Sequence, residues 1–155
     1  MHKECNICPL LDNPKHQILV TDHWAVNLGT DQLYLGRAYV TAREHKGSLM
    51  EMSPEEWSDL GIVVRGMERA YKEAFGAVPV NWTAMMNHSY KKEVVDPHLY
   101  WHVFPRYKNP VTLAGITFND DAYGEHYLLE PTRIVDDAVL TEIAAKLKQY
   151  LPAAE

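Results

Sequence analysis

The chain is sparing with cysteine: 155 residues hold two, Cys5 and Cys8. That excludes a disulfide framework as the basis of folding. No apolar run approaches the length that spans a bilayer, and no repeat, low-complexity tract or linker-like stretch divides the chain. Basic residues are in deficit, 15 Lys and Arg against 21 Asp and Glu, for a formal net charge of -6. The balance argues against a general nucleic-acid binder or an anionic-membrane anchor, while leaving room for a local phosphate pocket. The opening Met1-His2-Lys3-Glu4-Cys5 lacks an apolar signal core, so a cytoplasmic protein is expected. The length suits one domain.

What the chain does have is the run Pro97-His98-Leu99-Tyr100-Trp101-His102-Val103-Phe104-Pro105-Arg106-Tyr107, alternating polar and apolar with period two. This predicts a half-buried strand. His98, Tyr100 and His102 then share one face, with the two imidazoles flanking the phenol at steps of about 7 Å. Leu99, Trp101 and Val103 take the other face. Three rings with donors, acceptors and nearby titrations can form a phosphate or metal site; an aromatic strand with solvated histidines fits the alternation equally well.

Around it, Gln17–Val20 and Trp24–Leu28 read as short strands and 37–42 as another. Ser53-Pro54-Glu55-Glu56 opens a helix with a capping box and Pro at its first position. Trp57, Leu60, Val64, Met67, Tyr71 and Ala74 mark its apolar face, and Gly76 ends it. A strand is expected over 78–86, irregular chain over 108–133, and a second helix over 137–150 burying Leu140, Ile143, Leu147 and Tyr150. The order β-β-β-α-β-β-α predicts an α+β fold, an antiparallel sheet of about five strands with two main helices on one side.

Cys5 and Cys8 form a Cys-x-x-Cys pair. The spacing lets both thiolates reach one tetrahedral ion; a redox pair and two incidental cysteines remain open readings.

The strand resembles the signature of the histidine triad superfamily, in which three histidines alternate with apolar residues, running in many prokaryotic members His-x-His-Trp-His and, two residues on, Pro-Arg-Tyr. This chain matches at His98, Trp101, His102, Pro105, Arg106 and Tyr107. It departs at Tyr100, where the family carries its nucleophilic middle histidine. The resemblance extends from Cys5 to about Tyr127, with Gly124-Glu125-His126-Tyr127 similar to a tail of a branch described as diadenosine tetraphosphate hydrolases.

The resemblance implies one domain over 1–155, with a C-terminal tail and helix from about 108, and a homodimer with a continuous sheet. It implies a nucleotide ligand such as AMP or a diadenosine polyphosphate, with attack at the α-phosphorus. Tyr100, His102 and His98 fall at the catalytic positions, Asn87 at a phosphate-binding amide, and Asn27 at a ribose-binding position. It also implies a structural zinc held by Cys5, Cys8, His45 and His98. Without the resemblance, Asn27 and Asn87 read as turn or strand-end residues, His45 as a buried histidine, Trp24 as core and His23 as solvated. Where many relatives place a hydroxyl three residues before the first triad position, this chain has Val95. Lys91 and Lys92 can meet a polyphosphate or simply face water.

A phenol with an ordinary pKa of about 10 is only ~0.1% ionised at pH 7, so Tyr100 predicts attenuated turnover, with a catalytically inactive nucleotide binder or a zinc-stabilised interaction module as the alternative.

Overall fold

The structure is a computed structural model and describes residues 5–12 and 15–151. Met1 to Glu4, on which the expected lack of a signal segment rests, lie outside them. Five antiparallel strands form the main sheet: β1 (Gln17–Val20), β2 (Trp24–Leu28), β3 (Ala38–Ala42), β4 (Val80–Ala84) and β5 (Tyr100–Pro105). Their order is β1-β2-β3-β5-β4, so the histidine strand is interior and β4 is an edge. The five-stranded α+β architecture is the one expected.

Alternate residues of the sheet face the helices, although several on the opposite face are buried as well. Trp24, Val26, Leu28, Ala38, Val40, Ala42, Leu99 and Val103 point into the core. There they meet α2 (Pro54–Phe75) and α3 (Asp137–Lys148), whose buried stripes include Leu60, Val63, Met67, Tyr71, Leu140, Ile143 and Leu147. The helix α2 begins as its sequence dictates: Ser53 Oγ accepts from the Glu56 backbone N–H, and the Glu56 carboxylate accepts from the Ser53 N–H. Its buried face, however, is rotated from the one expected. Glu56, Val63, Ala70 and Phe75 are buried, whereas Trp57 is 45% exposed. Glu56 is drawn inward by its capping bond and by Lys46, which turns Trp57 outward on the next position of the helix.

Residues 111–118, expected to be irregular, form a hairpin of β6 (Val111–Leu113) and β7 (Ile116–Phe118). Ala114 and Gly115, both at positive φ, make its two-residue turn. A short α1 (Cys8–Asp12) precedes β1 and buries none of its residues. The loop into β3 turns at Gly36, where φ is 84° and a Cβ would meet the Tyr71 ring at 2.8 Å. Tyr71 donates to the Gly36 carbonyl at 2.7 Å, which locks the approach of Arg37 to the sheet. No helix among the described residues is long and apolar enough to cross a membrane.

Candidate functional site

The face of the sheet away from the helices carries the chemistry. Register sets Asn27 beside Tyr39, Tyr39 beside His102, and His102 beside Thr83. Thr41 stands beside Tyr100. Tyr100 and His102 project together, ring centroids 5.0 Å apart, with Tyr39 edge-on to both. They floor a cavity of about 980 Å³, walled by Ile7, Leu10 and Leu11 from the N-terminal segment and by Leu129 from the tail. Asn27, Asn87 and His88 also line it; Lys91 and Lys92 do not.

The tail closes one side because Arg106 organises it. This buried guanidinium pairs with Asp120 at 2.6 Å and also donates to Asn81 and to the carbonyls of Ala122 and Glu125. The chain then returns over the sheet. Tyr127 stacks on Phe104, its hydroxyl donating to Thr83, and the Leu128 N–H donates to the Tyr34 hydroxyl. The Pro-Arg-Tyr end of the strand is thus a tail anchor, and Tyr107 is buried with its hydroxyl on the Leu35 carbonyl.

Electrostatics on the floor are unusual. Burial, reinforced by Arg37, pushes His102 down to about 4, with a hydrogen bond to the backbone of Met85 opposing in part. The ring is therefore neutral at pH 7. Its Nδ1 is buried and has no hydrogen-bond partner among the described residues. Burial raises the Tyr100 hydroxyl above its ordinary value, with Tyr39 adding to the effect. Arg37 is a cavity residue that sequence reasoning missed, since it reads as the first residue of a strand. It is 7% exposed, sits 5.0 Å over the Phe104 ring and pairs with Asp31.

His98 is placed differently from its neighbours. It is 3% exposed and does not line the cavity. Its Nδ1 lies 3.4 Å from the sulfurs of both Cys5 and Cys8, while its Nε2 donates to the Ala42 carbonyl at 2.8 Å. His45 repeats the arrangement: Nδ1 is 3.3 Å from Cys8 Sγ and Nε2 is 3.0 Å from Asp96 Oδ1. His98, expected both at a catalytic position and as a metal ligand, thus has both ring nitrogens engaged away from the cavity.

The four ligand atoms of Cys5, Cys8, His45 and His98 lie within 4.8 Å of one another, a candidate metal centre. The residues present fit an ion well. Tetrahedral zinc at ordinary bond lengths would hold sulfur and nitrogen ligands about 3.6 Å apart, close to the distances seen. Each imidazole is fixed by an outer acceptor so that Nδ1 faces the sulfurs, the arrangement ligating histidines adopt. The N–H groups of Ile7 and Cys8 both point at Cys5 Sγ. Burial, with Cys5 alongside, pushes the Cys8 thiol up to about 11, since two adjacent thiolates repel without a cation between them.

No family model matches the chain, and no curated protein matches it. Solved structures do. A zinc-bound histidine triad family protein from Mycobacterium smegmatis superposes with a TM-score of 0.65 at 20% identity, covering 96% of each chain. A hypothetical histidine triad nucleotide-binding protein from Sulfolobus tokodaii gives 0.68 at 15% identity over 94% of this chain and 91% of that one. Diadenosine triphosphate hydrolase of Plasmodium falciparum gives 0.61 at 16% identity over 89% and 77%. The five-stranded sheet, the two helices packed on one side and the interior strand β5, which bears Tyr100 and His102 with His98 just before its start, are thus the histidine triad fold.

Proposed function

We propose that the chain binds a nucleoside phosphate in this cavity and acts at its α-phosphate, by hydrolysis or nucleotidyl transfer on diadenosine polyphosphates or AMP conjugates. The observation that carries the reading is the shared cavity of Tyr100, His102, Asn27 and Asn87 on a histidine triad fold. The apolar wall suits a base, and the polar floor suits a phosphate.

In this reading Tyr100 occupies the position of the nucleophile. Its Oη forms the bond to phosphorus as the bond to the leaving phosphate or amine breaks. The hydroxyl proton passes to neutral His102 and from there to the leaving group. Water then cleaves the tyrosyl ester and restores Tyr100. A phenol whose ionisation is suppressed by burial attacks slowly, and its aryl phosphate ester resists water more than an acyl-like phosphoramidate. Both steps attenuate turnover. The raised Tyr100 hydroxyl equally favours the second reading, a catalytically inactive nucleotide binder or a zinc-stabilised interaction module, in which Tyr100 serves as a neutral donor to phosphate oxygen.

Cys5, Cys8, His45 and His98 would hold a zinc ion in a closed structural site. The ion would neutralise the paired thiolates and tie the N-terminal segment to the start of the triad strand. The chain is further proposed to work in the cytoplasm as a homodimer with no nucleic-acid or membrane partner. Edge strand β4 is open to continuation of the sheet in a second copy.

The test is titration of AMP by calorimetry together with incubation of the protein with diadenosine tetraphosphate and with adenosine phosphoramidate. Saturable AMP binding with slow product release supports the enzyme, and binding without product supports the inactive binder. If AMP does not bind and neither substrate is consumed, the nucleotide reading fails and the interaction module is left.

A further inference from the structure

Among the described residues that line the cavity, Arg37 is the one cation nine-tenths buried. Its surroundings treat the two edges of the guanidinium differently. Nη1 is bonded to Asp31 Oδ2. Asp31 is itself well held, since its Oδ1 accepts from the Leu33 N–H at 3.0 Å and the Arg133 N–H at 2.9 Å. The other edge begins at Nε, which is buried and has no hydrogen-bond partner among the described residues. An unmatched buried donor is costly, and most native ones have an explanation.

The plane of the group is also fixed. The Phe104 ring lies 5.0 Å from the guanidinium carbon, and Phe104 is in turn parallel to His102 at 5.8 Å between centroids. A guanidinium held by an ion pair on one side and an aromatic ring on its face loses little freedom on binding a ligand. The edge not taken by Asp31 is the Nε–Nη2 fork, whose geometry matches two oxygens of one phosphate. Lys15, by contrast, is an exposed cation at the rim, and His102 is neutral at pH 7. Neither supplies a fixed buried charge.

We propose that Arg37 is the phosphate-anchoring residue of the cavity, gripping two non-bridging oxygens of the ligand's phosphate through its Nε edge while Asp31 holds Nη1. The inference rests on the nucleoside-phosphate reading and gives it a specificity determinant: the site selects for the phosphoryl group, with the nucleoside as a weaker second contact. Arg37 touches the ligand's phosphate but transfers no proton.

The experiment compares wild type with Arg37→Met by calorimetric titration of AMP, adenosine and inorganic pyrophosphate, with circular dichroism confirming the fold of the variant. The loss of a charge-assisted bidentate contact lowers AMP and pyrophosphate affinity roughly thirtyfold, while adenosine affinity stays within about threefold. If AMP and pyrophosphate bind the variant as they bind wild type, or if adenosine falls as far as AMP, the anchor is overturned. Wild type that binds pyrophosphate through Arg37 but neither AMP nor adenosine keeps the anchor and removes the nucleoside reading. Wild type that binds none of the three removes both. Should Arg37→Met fail to fold, Arg37→Lys keeps the charge and loses the fork. A drop in AMP affinity of roughly tenfold then supports the bidentate grip, and an unchanged affinity overturns it.

Discussion

Within the five residues from His98 to His102 the chain passes between two very different environments. At His98 both ring nitrogens are engaged, the side chain is buried, and the neighbours are two sulfurs, a second imidazole and a backbone carbonyl. At Tyr100 and His102 the rings are half-buried over open space, and an imidazole nitrogen is left unmatched among the described residues. His98 stands just before β5, and Tyr100 and His102 lie at its start, so one run of chain serves both sites. The difference comes from what covers it: the N-terminal segment folds down onto His98, whereas over the next two rings the same segment and the tail stand apart as walls. One end is finished by protein groups and needs only a cation to balance its sulfurs. The other opens on the cavity.

If the contrast is right, the two ends respond to different perturbations. The largest effect is expected at the open end. Tyr100→His places a group poised near neutral pH where the phenol stands, and diadenosine tetraphosphate hydrolysis should rise by roughly 10²-fold or more with AMP affinity nearly unchanged. Product formation by chromatography measures this, and an unaltered rate removes Tyr100 from the nucleophile position. At the closed end, elemental analysis of protein purified without chelators should find one zinc per chain, and absence of any transition metal would eliminate the centre. Stripping zinc that was present at a thousandfold over its dissociation constant should then cost ~4 kcal/mol. For a chain of this size, that is a fall in Tm of roughly 8–16 °C. A melt unmoved by metal removal contradicts a structural ion.

A third perturbation separates wall from floor. Asp120→Ala leaves the Arg106 guanidinium buried without its carboxylate, at a cost of about 3 kcal/mol in denaturant stability, while metal content stays at the wild-type level. A variant as stable as wild type would show that the tail is held by other contacts.

The smallest effect is in acid. His102 is held at about 4 when folded, against an ordinary value of 6.5. Between those two values the unfolded chain binds a proton that the folded chain refuses, so stability falls as pH drops through that window. Because the ring is partly open to solvent, the loss is about 1–2 kcal/mol. His102→Gln should lose less over the same range, both proteins sharing any slope due to the metal ligands. Parallel denaturation curves at pH 7 and 4.5 that show equal losses would contradict the depressed imidazole.

Much of this was legible in the residues. Ser53, Glu56 and Gly76 signal both ends of α2 through local bonds that need no tertiary context, and the structure contains all three. The alternation set Tyr100 and His102 together on one face, where both line the cavity, with Leu99 and Val103 turned into the core. Of the Cys5, Cys8, His45 and His98 cluster, the residues alone offered only the Cys-x-x-Cys spacing; His45 and His98 were expected from the family resemblance, and the outer partners Asp96 and Ala42 are set by tertiary approach. Arg37 was not legible. A strand-initial arginine is common, and nothing local shows that one edge of it ends up buried and unmatched. The hairpin at 111–118 was missed because its strands are three residues long, although Ala114-Gly115 between two β-branched runs is a turn signal. Trp57 was misassigned because apolarity alone outweighed the pull of the Glu56 capping bond.

The claim beneath the rest is that a phosphate sits on the Tyr100–His102 floor while His98 serves the sulfurs. A crystal structure of the protein soaked with AMP tests it most directly. The account predicts phosphate oxygens within hydrogen-bond reach of the Tyr100 hydroxyl and the His102 ring, the ribose toward Asn27, and His98 untouched by the ligand. A phosphate bound to His98, or on another surface of the molecule, would contradict it.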